Sequence, residues 1–169
     1  DSATSRQRRS MQCSACRRGH TNCCEHNQTL GVMCDGGLCD LMLLPERKLH
    51  PAPDLTWEQA ALVETLAIGC HAVNRGAPQS QETVLVIGAG PIGLSVIEFA
   101  RLSGARTMVM DMNARRLEFV RDVLGVADTI LSTGDGAELA ALSAATGGEL
   151  AHVVVDATGS HQSMSQALK

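Results

Sequence analysis

The chain has 169 residues, of which 44 % are apolar and 2 % aromatic, so its core must be built from aliphatic side chains. The formal net charge is −4. This argues against nucleic acid as a partner, because general nucleic-acid binding needs an excess of positive charge to replace counterions. No uninterrupted apolar stretch reaches the roughly 18 residues of a membrane span, which argues against the membrane as well.

The N-terminal segment DSATSRQRRS is rich in serine and arginine. Such a composition is found in transit peptides and basic arms, and also in disordered leaders, which is the interpretation we favour. Because the chain begins with Asp1 rather than methionine, we expect it to be processed, truncated or a fragment.

Seven cysteines occur, and four of them lie within residues 13–24. An odd number concentrated in one place is atypical of a secreted disulfide framework, so we expect a reducing compartment, the cytoplasm. Cys13 and Cys16 form a C-x2-C pair that Cys24 follows, and thiolates are ligands that Zn²⁺ prefers. Cys23 is an alternative to Cys24, although sequence neighbours rarely both point at one metal. The segment predicts a zinc site.

After the cysteines come short apolar stretches, at 30–33 and 41–44, between glycine and proline residues. This pattern is typical of short strands and turns. A helix is predicted from about Thr56 to Asn74, because Thr56 can cap it and Gln59 is placed to complete a capping box.

From residue 83 onward, apolar strands and amphipathic helices alternate. Val84–Ile87 is a continuous apolar run of the kind that is buried on both faces of a parallel sheet. Further strands are predicted at 107–110, 129–131 and 153–155, and helices at 92–103, 113–124 and 136–146. The series predicts an α/β fold with a doubly wound parallel sheet, of which we expect this chain to hold only part.

The turn after the first of these strands reads Gly88-Ala89-Gly90-Pro91-Ile92-Gly93, a G-x-G-x-x-G string that opens a helix. Gly88 permits the tight turn, Gly90 lets the backbone approach a pyrophosphate, and Gly93 lets the helix pack close to the sheet. Pro91 and Ile92 lie in the first helical turn, whose N–H groups and dipole attract phosphates and where proline costs little. The string predicts a dinucleotide-binding Rossmann turn.

Asp111 ends the next strand and completes the context of that motif. We expect it to accept hydrogen bonds from ribose 2′- and 3′-hydroxyls, and its charge repels a 2′-phosphate, which favours NAD over NADP. Arg115 and Arg116 complicate this prediction, because an arginine at this corner can bind a 2′-phosphate. Arg116 is included among the candidate cofactor-binding residues.

The loop after the last predicted strand is a second candidate part of this site. It begins at Asp156 and contains Ala157 and Thr158. Because ligands bind beyond the carboxyl ends of parallel strands, we expect Ala157 and Thr158 to face the cofactor. A turn that Asp156 caps locally is an equally good interpretation.

Three segments resemble, in the same order, the zinc-dependent medium-chain alcohol dehydrogenase family, in particular its sorbitol, threonine and sugar-acid dehydrogenase branch. They are CSACRRGHTNCC, GVMCDGGLCDLMLLPERKLHPAPDLTWEQAALVETLAIGCHAV and TVLVIGAGPIGLSVIEFARLSGA. The resemblance implies part of a GroES-like, β-rich catalytic domain with its zinc lobe at residues 1–55. It also implies a connecting helix at 56–78 and the N-terminal part of a Rossmann NAD-binding domain at 79–169.

The zinc lobe of that family usually reads C-x2-C-x2-C-x7-C. Laid on this sequence, its last three cysteines are Cys13, Cys16 and Cys24, and its first falls on Ser10. A serine hydroxyl is a poor zinc ligand at neutral pH, so this departure implies weak or lost zinc binding.

Glu64 matches a glutamate that lies at the catalytic zinc in the polyol dehydrogenase branch, which implies a catalytic and metal-binding role. On a helix Glu64 shares a stripe with Trp57 and Ile68, where an unpaired carboxylate is costly. A salt bridge or a surface position is the alternative. The family's other catalytic-zinc ligands, a cysteine and a His–Glu pair, have no counterpart in this sequence, so we expect this chain alone to be inactive.

The resemblance implies hydride transfer between NAD and a small secondary alcohol, a polyol or sugar acid, with zinc as a Lewis acid. The intact parent is expected to be a homo-oligomer. The first alternative is a non-catalytic dinucleotide-binding fragment or redox-sensing module. A zinc-ribbon interaction module with an arginine-rich face is the second, which the acidic remainder of the chain disfavours.

Overall fold

The computed structural model describes residues 13–167, so Ser10 and the serine- and arginine-rich segment lie outside it. The chain divides into two compact units, one ending at Pro51 and the other beginning at Ala52. None of the helices in the described range is long and apolar enough to cross a membrane.

The first unit contains short helical turns: helix α1, Ser14–Arg17, and two 3-10 turns, Thr21–Cys23 and Glu46–Lys48. The strands predicted at 30–33 and 41–44 are wrong. Within residues 13–51 the strand-like pairing is one isolated bridge between Leu30 and Cys34. A strand needs a hydrogen-bonded neighbour and a covered face, whereas Leu41 and Leu43 are almost fully exposed.

The second unit is built on a four-stranded parallel sheet with the strand order β3-β2-β1-β4. The strands are β1, Thr83–Ile87; β2, Arg106–Asp111; β3, Thr129–Leu131; and β4, Val153–Asp156. They confirm the predicted α/β fold and the strand positions. β1 lies in the middle and is buried over four of its five residues, as its continuous apolar sequence predicted.

Helices connect and flank the strands of this unit. They are α2, Trp57–Gly76; α3, Pro91–Leu102; α4, Ala114–Asp122; α5, Ala137–Ala145; and α6, His161–Ala167. The predicted capping box of α2 is confirmed. Gln59 N–H donates to Thr56 Oγ1 at 3.3 Å, and Thr56 N–H donates to Gln59 Oε1 at 2.9 Å. Helix α6 was not predicted, because its short polar sequence has no apolar period.

The core of this unit is aliphatic, as the near absence of aromatic residues requires. Its largest fully buried side chains come from the sheet and from the helices packed on it: Val84, Val86, Val96, Ile97, Met108, Val109 and Val120. The valines of β1 and β2 are β-branched and suit a strand that is covered on both faces.

Helices α2 and α3 cross closely at Gly69. A Cβ atom at Gly69 would overlap Ser95 Oγ and lie 2.7 Å from Val96 N. Ser95 is buried, and its hydroxyl donates to the carbonyl of Leu66 at 3.3 Å. The absence of a side chain at Gly69 therefore sets the distance between the two helices.

We expect Gly69→Ala to lower the free energy of unfolding by about 1–3 kcal/mol, the usual cost of overpacking. In an uncrowded helix the same change is stabilising by about 1 kcal/mol, so the sign of the effect reports the crossing. Urea denaturation measures it. Asn74→Ala, at an exposed position of the same helix, is the control and should change stability by no more than about 0.5 kcal/mol. Stabilisation by Gly69→Ala would contradict the close packing.

Candidate functional site

The glycine turn joins the end of β1 to the start of α3, and backbone geometry requires two of its glycines. Gly88 has φ +98°, and a Cβ there would lie 3.1 Å from Thr158 Cγ2. A Cβ at Gly93 would overlap the carbonyl oxygen of Gly88 and lie 2.8 Å from its carbonyl carbon. Gly93 thus lets the first turn of α3 rest directly on the end of β1.

Gly90 is different, because the described protein does not fill the space beside it. Its φ is −80°, and the nearest atom that a Cβ would meet is Arg116 Nη1, 3.9 Å away. Gly90 is the N-cap of α3, and no side chain caps this helix in the described structure. The first N–H groups of a helix lack intrahelical partners. This uncapped end, with room for close approach at Gly90, fits a pyrophosphate.

Pro91 and Ile92 form the first turn of α3, as predicted. Pro91 is exposed and Ile92 is half-buried against the core. A proline at this position removes an N–H that has no helical partner, so the helix begins here without cost.

Asp111 lies at the carboxyl end of β2 and is only 8 % exposed. Its Oδ2 accepts a hydrogen bond from Ala89 N–H at 2.6 Å, and its Oδ1 accepts one from Asn113 N–H at 2.7 Å. The carboxylate therefore ties β2 to the glycine turn, a role that the sequence analysis did not predict. An ionised carboxylate has about four acceptor positions, so two remain for ribose hydroxyls.

Arg116 stands at the same corner. Its Nη1 lies 3.7 Å from Asp111 Oδ2, and its side chain is 54 % exposed. The guanidinium is also the group nearest to Gly90, which places a positive charge between the Asp111 carboxylate and the uncapped end of α3. This position suits a group that contacts a bound anion while it partly neutralises Asp111.

The loop of Ala157 and Thr158 contacts the glycine turn, and both interpretations of this loop describe part of its geometry. Ala157 N–H donates to the carbonyl of Ile87 at 2.8 Å, beside Gly88. At the same time Asp156 Oδ1 accepts a hydrogen bond from Thr158 N–H at 2.8 Å, which is the local cap. The loop is thus a capped turn that lies against the candidate cofactor site.

Cys13, Cys16 and Cys24 come together in the first unit, where their sulfur atoms lie within 4.8 Å of one another. Hydrogen bonds from the backbone of Cys16 and Glu25 lower the pKa of Cys13 to about 7. Desolvation, followed by hydrogen bonds with the Cys13 and Cys24 thiols, raises the pKa of Cys16 to about 12. Three converging sulfurs match three of the four ligands of a tetrahedral structural zinc.

Cys23 is exposed and does not belong to this group, and no disulfide joins any of the seven cysteines. All seven lie within the part of the chain that the structure describes. Of the two alternatives left open by the sequence, the geometry brings Cys24 rather than Cys23 to the other thiols.

Glu64 lies on α2, where it is exposed. The burial cost expected from its helical stripe does not arise, because the stripe is itself exposed at Trp57 and Ile68. Among residues 13–167 the cluster of three thiols is the group of candidate metal ligands that converges, and Glu64 is not part of it. The described residues do not assemble a metal site around Glu64.

Comparisons with known proteins identify the family of this chain. The family model of zinc-binding dehydrogenases matches residues 91–169. L-Galactonate-5-dehydrogenase of Escherichia coli K12 is 41 % identical over 160 residues, which cover 94 % of this chain and 46 % of that protein. The chain belongs to the zinc-type medium-chain alcohol dehydrogenase family. L-Idonate 5-dehydrogenase of Vitis vinifera is 34 % identical over 122 residues, which cover 70 % of this chain and 33 % of that protein.

Solved structures of dehydrogenases share the fold. Alcohol dehydrogenase TADH from Thermus sp. ATN1 is 25 % identical with a TM-score of 0.78, covering 94 % of this chain and 48 % of that one. RspB of E. coli CFT073, described as a short chain alcohol dehydrogenase complexed with NADH, is 26 % identical with a TM-score of 0.76. That match covers 89 % of this chain and 44 % of RspB. The chain spans less than half the length of these curated relatives.

Proposed function

We propose that this chain is part of an NAD-dependent dehydrogenase that oxidises a secondary alcohol on a polyol or sugar acid. The observation that carries the proposal is the Asp111 carboxylate, which is hydrogen-bonded to the glycine turn beside the uncapped N-terminus of α3. Among the relatives, L-galactonate-5-dehydrogenase and L-idonate 5-dehydrogenase support the sugar-acid class.

In this proposal the chain's own residues bind and orient the dinucleotide. The amide groups around Gly90 and Ile92 hold the pyrophosphate, and Asp111 accepts hydrogen bonds from the adenosine ribose. Arg116 lies on the phosphate side of that ribose, and Ala157 and Thr158 line the neighbouring half of the site. When bound there, NAD would supply the hydride acceptor for oxidation of an alcohol.

Two metal roles belong to the proposal. Cys13, Cys16 and Cys24 hold a structural zinc, for which the converging sulfurs are suited. Glu64 stands at the catalytic zinc of the whole enzyme, a role that rests on the family resemblance. The described residues gather no further ligands around Glu64.

The domain organisation is also proposed from the family resemblance. Residues 1–55 form part of the GroES-like catalytic domain, 56–78 the connecting helix and 79–169 part of the NAD-binding domain. We also propose a homo-oligomeric parent enzyme in the cytoplasm that acts on a small alcohol. Seven cysteines without a disulfide support a reducing compartment. The net charge of −4 argues against nucleic acid as a partner.

Calorimetric titration of NAD and NADP tests the proposal. We expect the unmutated chain to prefer NAD, and Asp111→Ser to weaken NAD binding about 10- to 100-fold and shift the preference toward NADP. A lost hydrogen bond to a charged group has an effect of this size. Asp122→Ser, at an exposed acidic residue of α4, is the matched control and should change neither affinity. Equal or tighter binding of NADP by the unmutated chain would contradict the assignment of Asp111 as the ribose-binding residue that selects NAD.

A further inference from the structure

Asp156 ends β4, and both of its carboxylate oxygens accept hydrogen bonds. Thr158 donates to Oδ1 from its N–H at 2.8 Å and from its hydroxyl at 2.6 Å, while the Ser163 hydroxyl donates to Oδ2 at 2.6 Å. Thr158 Oγ1 in turn accepts from Ser160 N–H at 3.0 Å. One carboxylate thus fixes the loop 157–160 and joins it to α6.

This carboxylate is held in its charged form. Burial raises the pKa of Asp156, but the hydrogen bonds from Ser163 and Thr158 outweigh burial and hold the pKa below its usual range. The network is therefore intact at neutral pH, where an ionised carboxylate makes stronger hydrogen bonds than a neutral acceptor.

The loop that Asp156 holds is also the part of the chain that rests on Gly88. A Cβ at Gly88 would lie 3.1 Å from Thr158 Cγ2 and 3.3 Å from the carbonyl oxygen of Ala157. Because the Thr158 hydroxyl is directed to Asp156, its methyl group faces the glycine turn. Asp156 therefore decides which face of Thr158 borders the candidate cofactor site.

The strand order indicates which half of a dinucleotide meets this loop. β1 lies between β2 and β4. Asp111, at the end of β2, marks the adenosine ribose, and the pyrophosphate lies over the start of α3. The other nucleotide half then extends across β1 toward the end of β4, where loop 157–160 begins.

We propose that Asp156 is a positioning residue for the nicotinamide half of the cofactor. It acts through the loop 157–160, which it holds against Gly88 with the Thr158 methyl group facing the turn. The inference rests on the proposed function, because it takes the dinucleotide site for granted and assigns one end of it.

Calorimetric titration of the 169-residue chain with NAD and with AMP separates the two halves of the cofactor. Asp156→Ala should raise the Kd for NAD by about tenfold or more, because the loop 157–160 loses the three hydrogen bonds that hold it in its binding conformation, and leave the Kd for AMP within about twofold. Asp156→Asn keeps an acceptor for Thr158 and can donate to Ser163 Oγ, so it should restore most of the NAD affinity. A merely structural role predicts parallel losses for both ligands.

Two serines of α6 provide the milder variant and its control. Ser163→Ala removes one donor and should raise the Kd for NAD about two- to threefold without affecting AMP, a test that survives if Asp156→Ala fails to fold. Ser165→Ala removes an exposed hydroxyl that donates to the carbonyl of His161 instead, and should change neither Kd. If Asp156→Ala and Ser163→Ala weaken the binding of NAD and AMP equally, or weaken neither, this inference is overturned while the proposed function stands. If the unmutated chain binds neither AMP nor NAD, the proposed function falls and this inference with it.

Discussion

The Gly93→Ala chain is expected to lose NAD binding by at least about 100-fold. The new Cβ would overlap the Gly88 carbonyl oxygen and lie 2.8 Å from its carbonyl carbon. Both are backbone atoms at the buried end of β1, so no side-chain rotation can relieve the contact. Helix α3 must then move away from the strand, and a shift of about 1 Å is enough to misalign its N–H groups with a bound phosphate.

Gly90→Ala is the matched variant, because it adds the same methyl group three residues earlier in the same glycine turn. Among the described residues its Cβ would meet only Arg116 Nη1, at 3.9 Å, and its φ of −80° suits any residue. We expect this chain to keep the thermal midpoint of the unmutated protein but to bind NAD more weakly, because the methyl group occupies the space for the pyrophosphate.

Calorimetric titration with NAD and a thermal melt followed by circular dichroism distinguish the two effects. Gly93→Ala should lose both stability and binding, whereas Gly90→Ala should lose binding alone. Full NAD affinity in Gly93→Ala would show that α3 does not depend on this contact. Full NAD affinity in Gly90→Ala would place the pyrophosphate elsewhere.

The sheet and its helices could be predicted closely because local sequence and tertiary packing agree there. Val84–Ile87 reads as a strand buried on both faces and is one. Thr56 and Gln59 specify the start of α2 through a capping box that depends only on neighbouring residues. Where a signal is carried by adjacent side chains and reinforced by burial, the sequence is sufficient.

Other features depend on partners that no local pattern reveals. The stretches at 30–33 and 41–44 have the composition of strands, but strands form only where a neighbour pairs with them. The hydrogen bond from Ala89 to Asp111 joins residues of two different strand ends, so the acid could be predicted as a ribose ligand but not as a brace for the turn. The motif of glycines and an acid identifies the site from sequence, but the hydrogen bond that holds the glycine turn to β2 is seen only in the structure.

Glu64 is exposed, contrary to the burial that its helical stripe predicts. A helical stripe shared with Trp57 and Ile68 suggested a covered face, yet all three residues are exposed in the second unit. Periodicity identifies which residues share a face of a helix, but it does not identify what covers that face. The proposed role of Glu64 near the catalytic metal therefore rests on the family resemblance, and no contact among the described residues supports it.

The three thiols of the first unit lead to the second large expected effect, on zinc binding. We expect the chain to bind at most one zinc, and Cys16→Ser to lower its affinity by at least about 100-fold, more than the roughly 10- to 100-fold that an outer-shell partner contributes. Ligand thiols must lose their protons. With the pKa of Cys13 at about 7 and that of Cys16 at about 12, zinc affinity should rise as the pH increases from 6 to 8.

Competition with a chromophoric chelator measures this affinity, and the chain supplies its own control. Cys23 adjoins Cys24 but is exposed and outside the cluster, so Cys23→Ser should leave zinc affinity within about twofold, whereas Cys24→Ser should behave like Cys16→Ser. Equal losses in Cys23→Ser and Cys24→Ser would mean that the three sulfurs do not form the site.

Ser10→Cys offers the fourth thiolate that a closed tetrahedral site requires, and it should tighten binding because it replaces a poor hydroxyl ligand. If Ser10→Cys leaves the affinity unchanged, Ser10 does not occupy the fourth ligand position, and the match of this lobe to the family's cysteine pattern is wrong.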